Sequence, residues 1–147
     1  MKIKLKNISN SHSTIENENG NFISIDNKSV KNPKGVSPME LLLMGVAGCS
    51  SIDIISILKK QKQKFKELTI EVSGEREKGE LPSLFKKIHA DVKFVGDIDY
   101  NKASRACKLS FTKYCSVSKT LEATAKITYS VYICLLYTSP SPRDTLL

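Results

Sequence analysis

The sequence predicts an α+β domain, and three observations carry that prediction. Strand-like alternation is confined to separate runs near the N-terminus, at 68–94 and at 126–133. One long apolar helical stretch stands between the first two runs. The strict β–α alternation of a doubly wound sheet is missing, and segregated strands and helices argue α+β. A chain of 147 residues suits one domain, long enough to bury a core without disulfide staples. Its 40% hydrophobic and 26% charged residues are those of an ordinary soluble globular protein rather than a disordered or fibrous one.

Residues 2–8 alternate lysine with apolar side chains, which predicts a half-buried strand. Asn19-Gly20 is a hairpin signal, since both residues tolerate positive φ. Phe22 to Ile25 is the expected return strand, and Asn27 to Gly35 a polar loop. Ser37-Pro38-Met39-Glu40 then opens a helix three ways: Ser37 as cap, Pro38 at the first helical position, and Glu40 closing an S-x-x-E capping box. Leu41 to Cys49 is apolar or small on every side, the character of a helix buried all round. From Ile52 to Lys64 the pattern turns amphipathic, so one helix is expected from Pro38 to about Phe65.

Leu68–Ser73 and Ile88–Phe94 alternate strictly and predict an antiparallel pair joined through the turn-rich Lys78–Pro82. Asp97 or Asp99 caps a second helix, roughly Tyr100 to Thr112, and Cys115 follows its end. Ser116 to Ala123 suits a short further helix. Lys126 to Ile133 is a last strand, with Ile127, Tyr129, Val131 and Ile133 on one face.

The net charge of +8 is almost all lysine, since only Arg76, Arg105 and Arg143 are arginine and tryptophan is absent. A nucleic-acid reader clusters arginines and interleaves aromatics on one face. Here the lysines are scattered from Lys2 to Lys126, so no nucleic-acid partner is expected. No stretch is expected to approach the ~20 apolar residues that span a bilayer, and the N-terminus lacks the apolar region of a secretory signal. The expected location is the cytoplasm, a reducing compartment in which thiols are free or catalytic. Metal-ligand spacings such as C-x-x-C are missing and His12 and His89 lie far from any cysteine in sequence, so neither a metal nor another cofactor is expected.

The segment Cys134 to Asp144, CLLYTSPSPRD, resembles the conceptual translation of a transposase sequencing adapter, residue for residue. The domain is therefore expected to comprise residues 1–133, with 134–147 outside the native frame and contributing no core side chain. Pro140 and Pro142 lack the amide hydrogens a central strand requires.

Two cysteines occupy unusual settings. Cys49 lies within the apolar helix between Gly48 and Ser50, and Cys115 at a helix break in Lys113-Tyr114-Cys115-Ser116-Val117. The run Ser37-Pro38-Met39-Glu40-Leu41-Leu42-Leu43-Met44, continuing to Ala47-Gly48-Cys49-Ser50-Ser51-Ile52-Asp53, resembles the first-cysteine helix of the OsmC/Ohr family. The Cys115 segment resembles the family's second-cysteine segment. The phrases PMELLLMGVAGCSSIDIISIL and KYCSV are most similar to the YhfA-like branch, and the similarity extends over about residues 30 to 133.

That resemblance implies β-strands wrapped round a long central helix in an intertwined homodimer. It implies a thiol peroxidase acting on organic hydroperoxides, with Cys49 attacking the O–O bond, Cys115 closing a disulfide, and an external dithiol restoring both thiols. Cys49 and Cys115 are then expected within disulfide reach, with Leu42 and Val46 as part of an apolar wall. The family pattern also implies an arginine from the N-terminal strands and a glutamate near the helix start. This chain has no arginine before Arg76, and Met39 stands at the glutamate position with Glu40 beside it. Glu40 is thus a candidate site residue and a helix cap at once. Asp53, one turn beyond Cys49, opposes a neighbouring thiolate if it faces one. Cys107 reads as helix packing, and His89 as solvent-facing.

An alternative reading on the same scaffold is a dimeric protein that binds a small apolar molecule and keeps its thiols inert. The dimer itself is expected because Leu41 to Gly48 has more apolar faces than one sheet covers, with Gly45 and Gly48 allowing a partner close.

Overall fold

The computed structural model describes residues 1–135 and 144–146. The chain divides into two units, residues 1–42 and 43–147. The first is a three-stranded antiparallel sheet in the order β1-β2-β3, formed by β1 (Ile3–Ser9), β2 (His12–Asn17) and β3 (Phe22–Ile25). Strand β2, unread in the sequence, is the middle one, with Ile15 opposite Leu5 on one side and Ile23 on the other. Its sequence HSTIEN holds a single apolar residue, too few for a period-two signal. The β2–β3 turn uses Gly20 at φ +86°, and the Asn17 side chain accepts from the amides of Asn19 (3.0 Å) and Asn21 (2.9 Å). The β1–β2 turn uses Asn10 at φ +49°. Strand β1 is not half-buried as expected. All seven of its residues are exposed, including Ile3 and Leu5.

The capping box forms as the sequence predicts. The Glu40 amide donates to Ser37 Oγ (3.2 Å) and the Ser37 amide to Glu40 Oε1 (2.9 Å). It starts α1, Pro38–Lys60. By length and composition α1 is apolar enough to cross a membrane. The expectation that no stretch approaches that length therefore does not hold: Ser50, Ser51, Asp53 and Ser56 interrupt the apolar residues without lowering the mean hydropathy of the helix enough to exclude a span. Yet α1 is not buried all round: its buried positions are Val46, Ser50, Ile54 and Leu58, one every fourth residue and hence a single face. The helix stops at Lys60, short of Phe65. Lys62 adopts φ +58°, its amide donates to the Lys59 carbonyl, and the Gln63 amide donates to the Leu58 carbonyl. This is a Schellman ending with lysine where glycine is usual, so composition gives no stop signal.

The second unit carries a four-stranded sheet in the order β4-β5-β6-β7. Strands β4 (Glu67–Arg76) and β5 (Phe85–Val95) pair antiparallel, as expected. From β5 the chain crosses over through α2 (Tyr100–Leu109), a π-helical turn (Ser110–Tyr114) and α3 (Ser116–Leu121), and returns as β6 (Lys126–Cys134), parallel to β5. Asp99 caps α2, accepting from the Lys102 amide at 3.0 Å. The strand register stacks like on like: Val92 lies between Ile70 and Val131, and Phe94 between Leu68 and Ile133. Ile54 and Leu58 of α1 and Ala103, Ala106 and Cys107 of α2 join this face in one core. Full burial of a side chain such as Phe94 contributes ~1.5–3 kcal/mol.

Strand β7 (Asp144–Leu146) pairs antiparallel with Tyr132–Cys134 at the edge of the sheet. An open edge offers unpaired amides and carbonyls to any extended segment, and β7 takes that place beside β6. Residues 136–143, most of that tail, lie outside the described residues.

Candidate functional site

The second unit brings Cys49, Asp53 and Cys115 together. The sulfurs of both cysteines and a carboxylate oxygen of Asp53 lie within 4.8 Å of one another. Cys49 and Asp53 are four residues apart on α1 and so share a face. Both thiols are free; Cys49 is half-buried and Cys115 fully buried.

Cys115 reaches this place through the π-helical turn. Its amide donates to the Ser110 carbonyl at 2.7 Å, five residues back, where an α-helix would use Phe111. Its backbone is then extended (φ −72°, ψ 102°), which ends one helix and caps the next. Phe111, inside the turn, stacks on Tyr129 of β6 with ring centroids 5.1 Å apart and fixes the turn to the sheet. Ser110 also reaches across to α1: its hydroxyl donates to Asp53 Oδ2 at 3.1 Å. One buried serine thus orients both the cysteine of one segment and the carboxylate of the other.

The Cys115 sulfur accepts from the Ser118 amide at 3.4 Å. Burial pushes its thiol above the ordinary range, the Ser118 hydroxyl and amide offset part of that, and the neighbouring Cys49 adds to the rise. Close packing continues behind the pair, where a side chain on Gly45 would stand 3.3 Å from Val117 Cγ1. The close approach expected at Gly45 is therefore made by α3 of the same chain. Beside the cluster, Asp53, Ser56, Ile57, Lys60, Leu109 and Tyr114 line a surface pocket of about 490 Å³ with both apolar and charged walls.

Glu40 forms the capping box at the start of α1. Its carboxylate is engaged by Ser37, and those hydrogen bonds hold it below the usual carboxylate range. Arg76 Nε donates to the Ser83 carbonyl (3.0 Å), Arg105 is exposed, and Lys113 sits over the Tyr114 ring at 5.2 Å. His89 is not simply solvent-facing; it bonds Thr128, Asp91 and Ser130 across the outer face of the sheet. Ser110, Ser118 and the π-helical turn escaped the sequence reading. No local signal marked them, since Ser110 stands in a mixed run, Lys108-Leu109-Ser110-Phe111-Thr112-Lys113, with no distinctive pattern.

The profile of the OsmC-like protein family matches residues 31–130. The chain belongs to the OsmC-like family. It is 39% identical over 116 residues to Protein YhfA of Escherichia coli K12, covering 78% of this chain and 84% of that protein. A hypothetical protein from Aquifex aeolicus has the same fold, with TM-score 0.77, 30% identity and coverage of 90% of this chain and 96% of that one. The organic hydroperoxide resistance protein OhrB of Bacillus subtilis shares the fold alone, at TM-score 0.66 and 19% identity, over 88% and 96% of the two chains. The OsmC-like fold expected from the cysteine motifs is therefore the one present.

Cys107 packs into the core of this OsmC-like protein, as expected, and burial pushes its thiol up to about 12 from an ordinary 9.0. The folded state keeps a proton that the unfolded state gives up. Cys107 therefore contributes stability in full below pH 9.0, and loses it as pH rises toward about 12. Alkylation of native protein at pH 7 followed by peptide mapping is expected to leave Cys107 unmodified, and urea midpoints are expected to fall across that alkaline window.

Proposed function

We propose that this OsmC-like protein is a thiol-dependent peroxidase that reduces organic hydroperoxides through Cys49 and Cys115. The observation that carries the reading is the meeting of two free sulfurs, one reachable from solvent and the other buried behind it. The reachable sulfur suits the first step and the buried one the second. The Cys49 thiolate attacks the hydroperoxide, the O–O bond breaks, and an alcohol leaves with a proton from solvent. Cys49 is then a sulfenic acid. The Cys115 thiol condenses with it, water leaves, and a disulfide joins the two. An external dithiol returns two electrons and two protons by exchange. The apolar side chains of the adjoining pocket, Ile57 and Leu109, suit an alkyl substrate. Glu40 takes part as a positioning residue, fixing the start of the helix that carries Cys49. The domain performing this is residues 1–133, and a reducing cytoplasm supplies the dithiol.

Asp53 favours a second reading. An anion stands within 4.8 Å of the sulfurs where the peroxidase pattern calls for a cation, which suits a binding protein with quiet thiols. Stopped-flow mixing of reduced protein with cumene hydroperoxide separates the two. The peroxidase reading expects consumption orders of magnitude faster than by free cysteine, lost in Cys49→Ser, with Cys115→Ser trapped as a sulfenic acid. A rate equal to free cysteine would leave the binding reading.

We further propose a homodimer. Met44, Ile52 and Ile55 lie on a face of α1 away from its buried row, with Ile52 70% exposed. A side chain added at Gly48, on the same face, would meet nothing within 4 Å. Soluble monomers rarely leave such a patch bare, and an obligate interface of more than about 2,000 Å² would cover it. Analytical ultracentrifugation at low micromolar concentration is expected to give a dimer, weakened in Ile52→Asp; a folded monomer of unaltered protein would contradict it.

A further inference from the structure

The cluster at Cys49 has a third member that peroxide chemistry does not use. Two sulfurs and one carboxylate oxygen, all within 4.8 Å of one another, are the donors of a soft-to-borderline metal site. We propose that the reduced protein binds one zinc(II) ion per chain through Cys49 Sγ, Cys115 Sγ and an Asp53 carboxylate oxygen. The inference goes beyond the peroxidase reading and does not depend on it.

Four observations support it. Cysteine sulfur and aspartate oxygen are both zinc donors, and three protein ligands leave a fourth position for water or another small ligand. Zinc at ~2.0 Å from oxygen and ~2.3 Å from sulfur places its ligands roughly 3.3–3.8 Å from one another, and the three donor atoms here all lie within 4.8 Å of one another. The ligands are also oriented from behind, as metal ligands usually are: Ser110 Oγ donates to Asp53 Oδ2 (3.1 Å) and the Ser118 amide to Cys115 Sγ (3.4 Å). Finally, Cys49 and Asp53 are only half-buried, and Asp53 lines a surface pocket, which gives an ion a way in.

Local sequence spacing hides such a site. Cys49 and Asp53 are one helical turn apart, but Cys115 arrives from the far side of the fold through the π-helical turn. Sulfur excludes calcium and magnesium as the preferred ion, since those take oxygen ligands. Binding displaces one proton from each thiol, so zinc uptake releases up to two protons per chain and weakens as pH falls. An ion held by both sulfurs withholds them from disulfide closure, so zinc loading and disulfide formation exclude each other.

The test uses the full reduced chain under argon with cobalt(II) as a visible probe and zinc(II) as competitor. The proposal expects a near-ultraviolet thiolate-to-cobalt charge-transfer band saturating at one equivalent per chain, and its loss on adding one equivalent of zinc. Cys49→Ser, which keeps the shape of the side chain, and Cys115→Ser are each expected to remove most of the band. Asp53→Asn is expected to weaken binding at least about tenfold, while its far-ultraviolet circular dichroism stays that of the parent. No charge-transfer band, a band that survives in either serine variant, or affinity unchanged in Asp53→Asn would overturn the site. No peroxide is present in any arm, so this result and the peroxidase result stand or fall separately.

Discussion

Ser110 is bonded in two directions, and the site depends on both. Its carbonyl takes the Cys115 amide, which closes a turn one residue wider than an α-helical one; its hydroxyl holds Asp53 on α1. In an α-helix each residue advances the chain by ~100°. Ending the segment with a bond to Phe111 instead would therefore turn Cys115 away from α1 by about that angle. The stack of Phe111 on Tyr129 then ties the wide turn to the sheet, whose register is set by rows such as Ile70, Val92 and Val131. Core packing and thiol geometry are in this sense one structure, since β6 positions the turn and the turn positions Cys115.

The two sulfurs meet in unequal surroundings. Cys49 is half-buried on α1, whereas Cys115 is buried, accepts from the Ser118 amide, and has its thiol raised. That asymmetry suits a first sulfur that meets the outside and a second that waits behind it. Asp53 adds a negative charge where a peroxidase would profit from a positive one. The same carboxylate makes good sense as a ligand to a cation, and it gives the cluster a chemistry available only while both thiols are reduced.

Much of this was legible in the sequence, for identifiable reasons. The capping box at Ser37 and Glu40 is a local motif and formed as written. Alternation marked β4, β5 and β6 because one face of each faces the core. The cysteine motifs led to the OsmC-like family, to which the chain belongs. What stayed hidden lacked a local signature. Strand β2 holds one apolar residue. Helix α1 ends on Lys62 in a left-handed conformation that glycine would have announced. The π-helical turn is defined by which carbonyl Cys115 chooses, and no residue type specifies that choice. Asp53 was visible as a residue one turn from Cys49, but its meeting with Cys115 is tertiary.

The central claim is that the fold holds Cys49 and Cys115 as a ready pair. Equilibration of the chain in dithiothreitol redox buffers, with quenched peptide mass mapping at each ratio, tests it most directly. One intramolecular disulfide joining Cys49 to Cys115 is expected, formed at lower oxidant ratios than any other linkage, with Cys107 reduced throughout. Preferential pairing of either cysteine with Cys107 or Cys134, or only disulfides between chains, would contradict it.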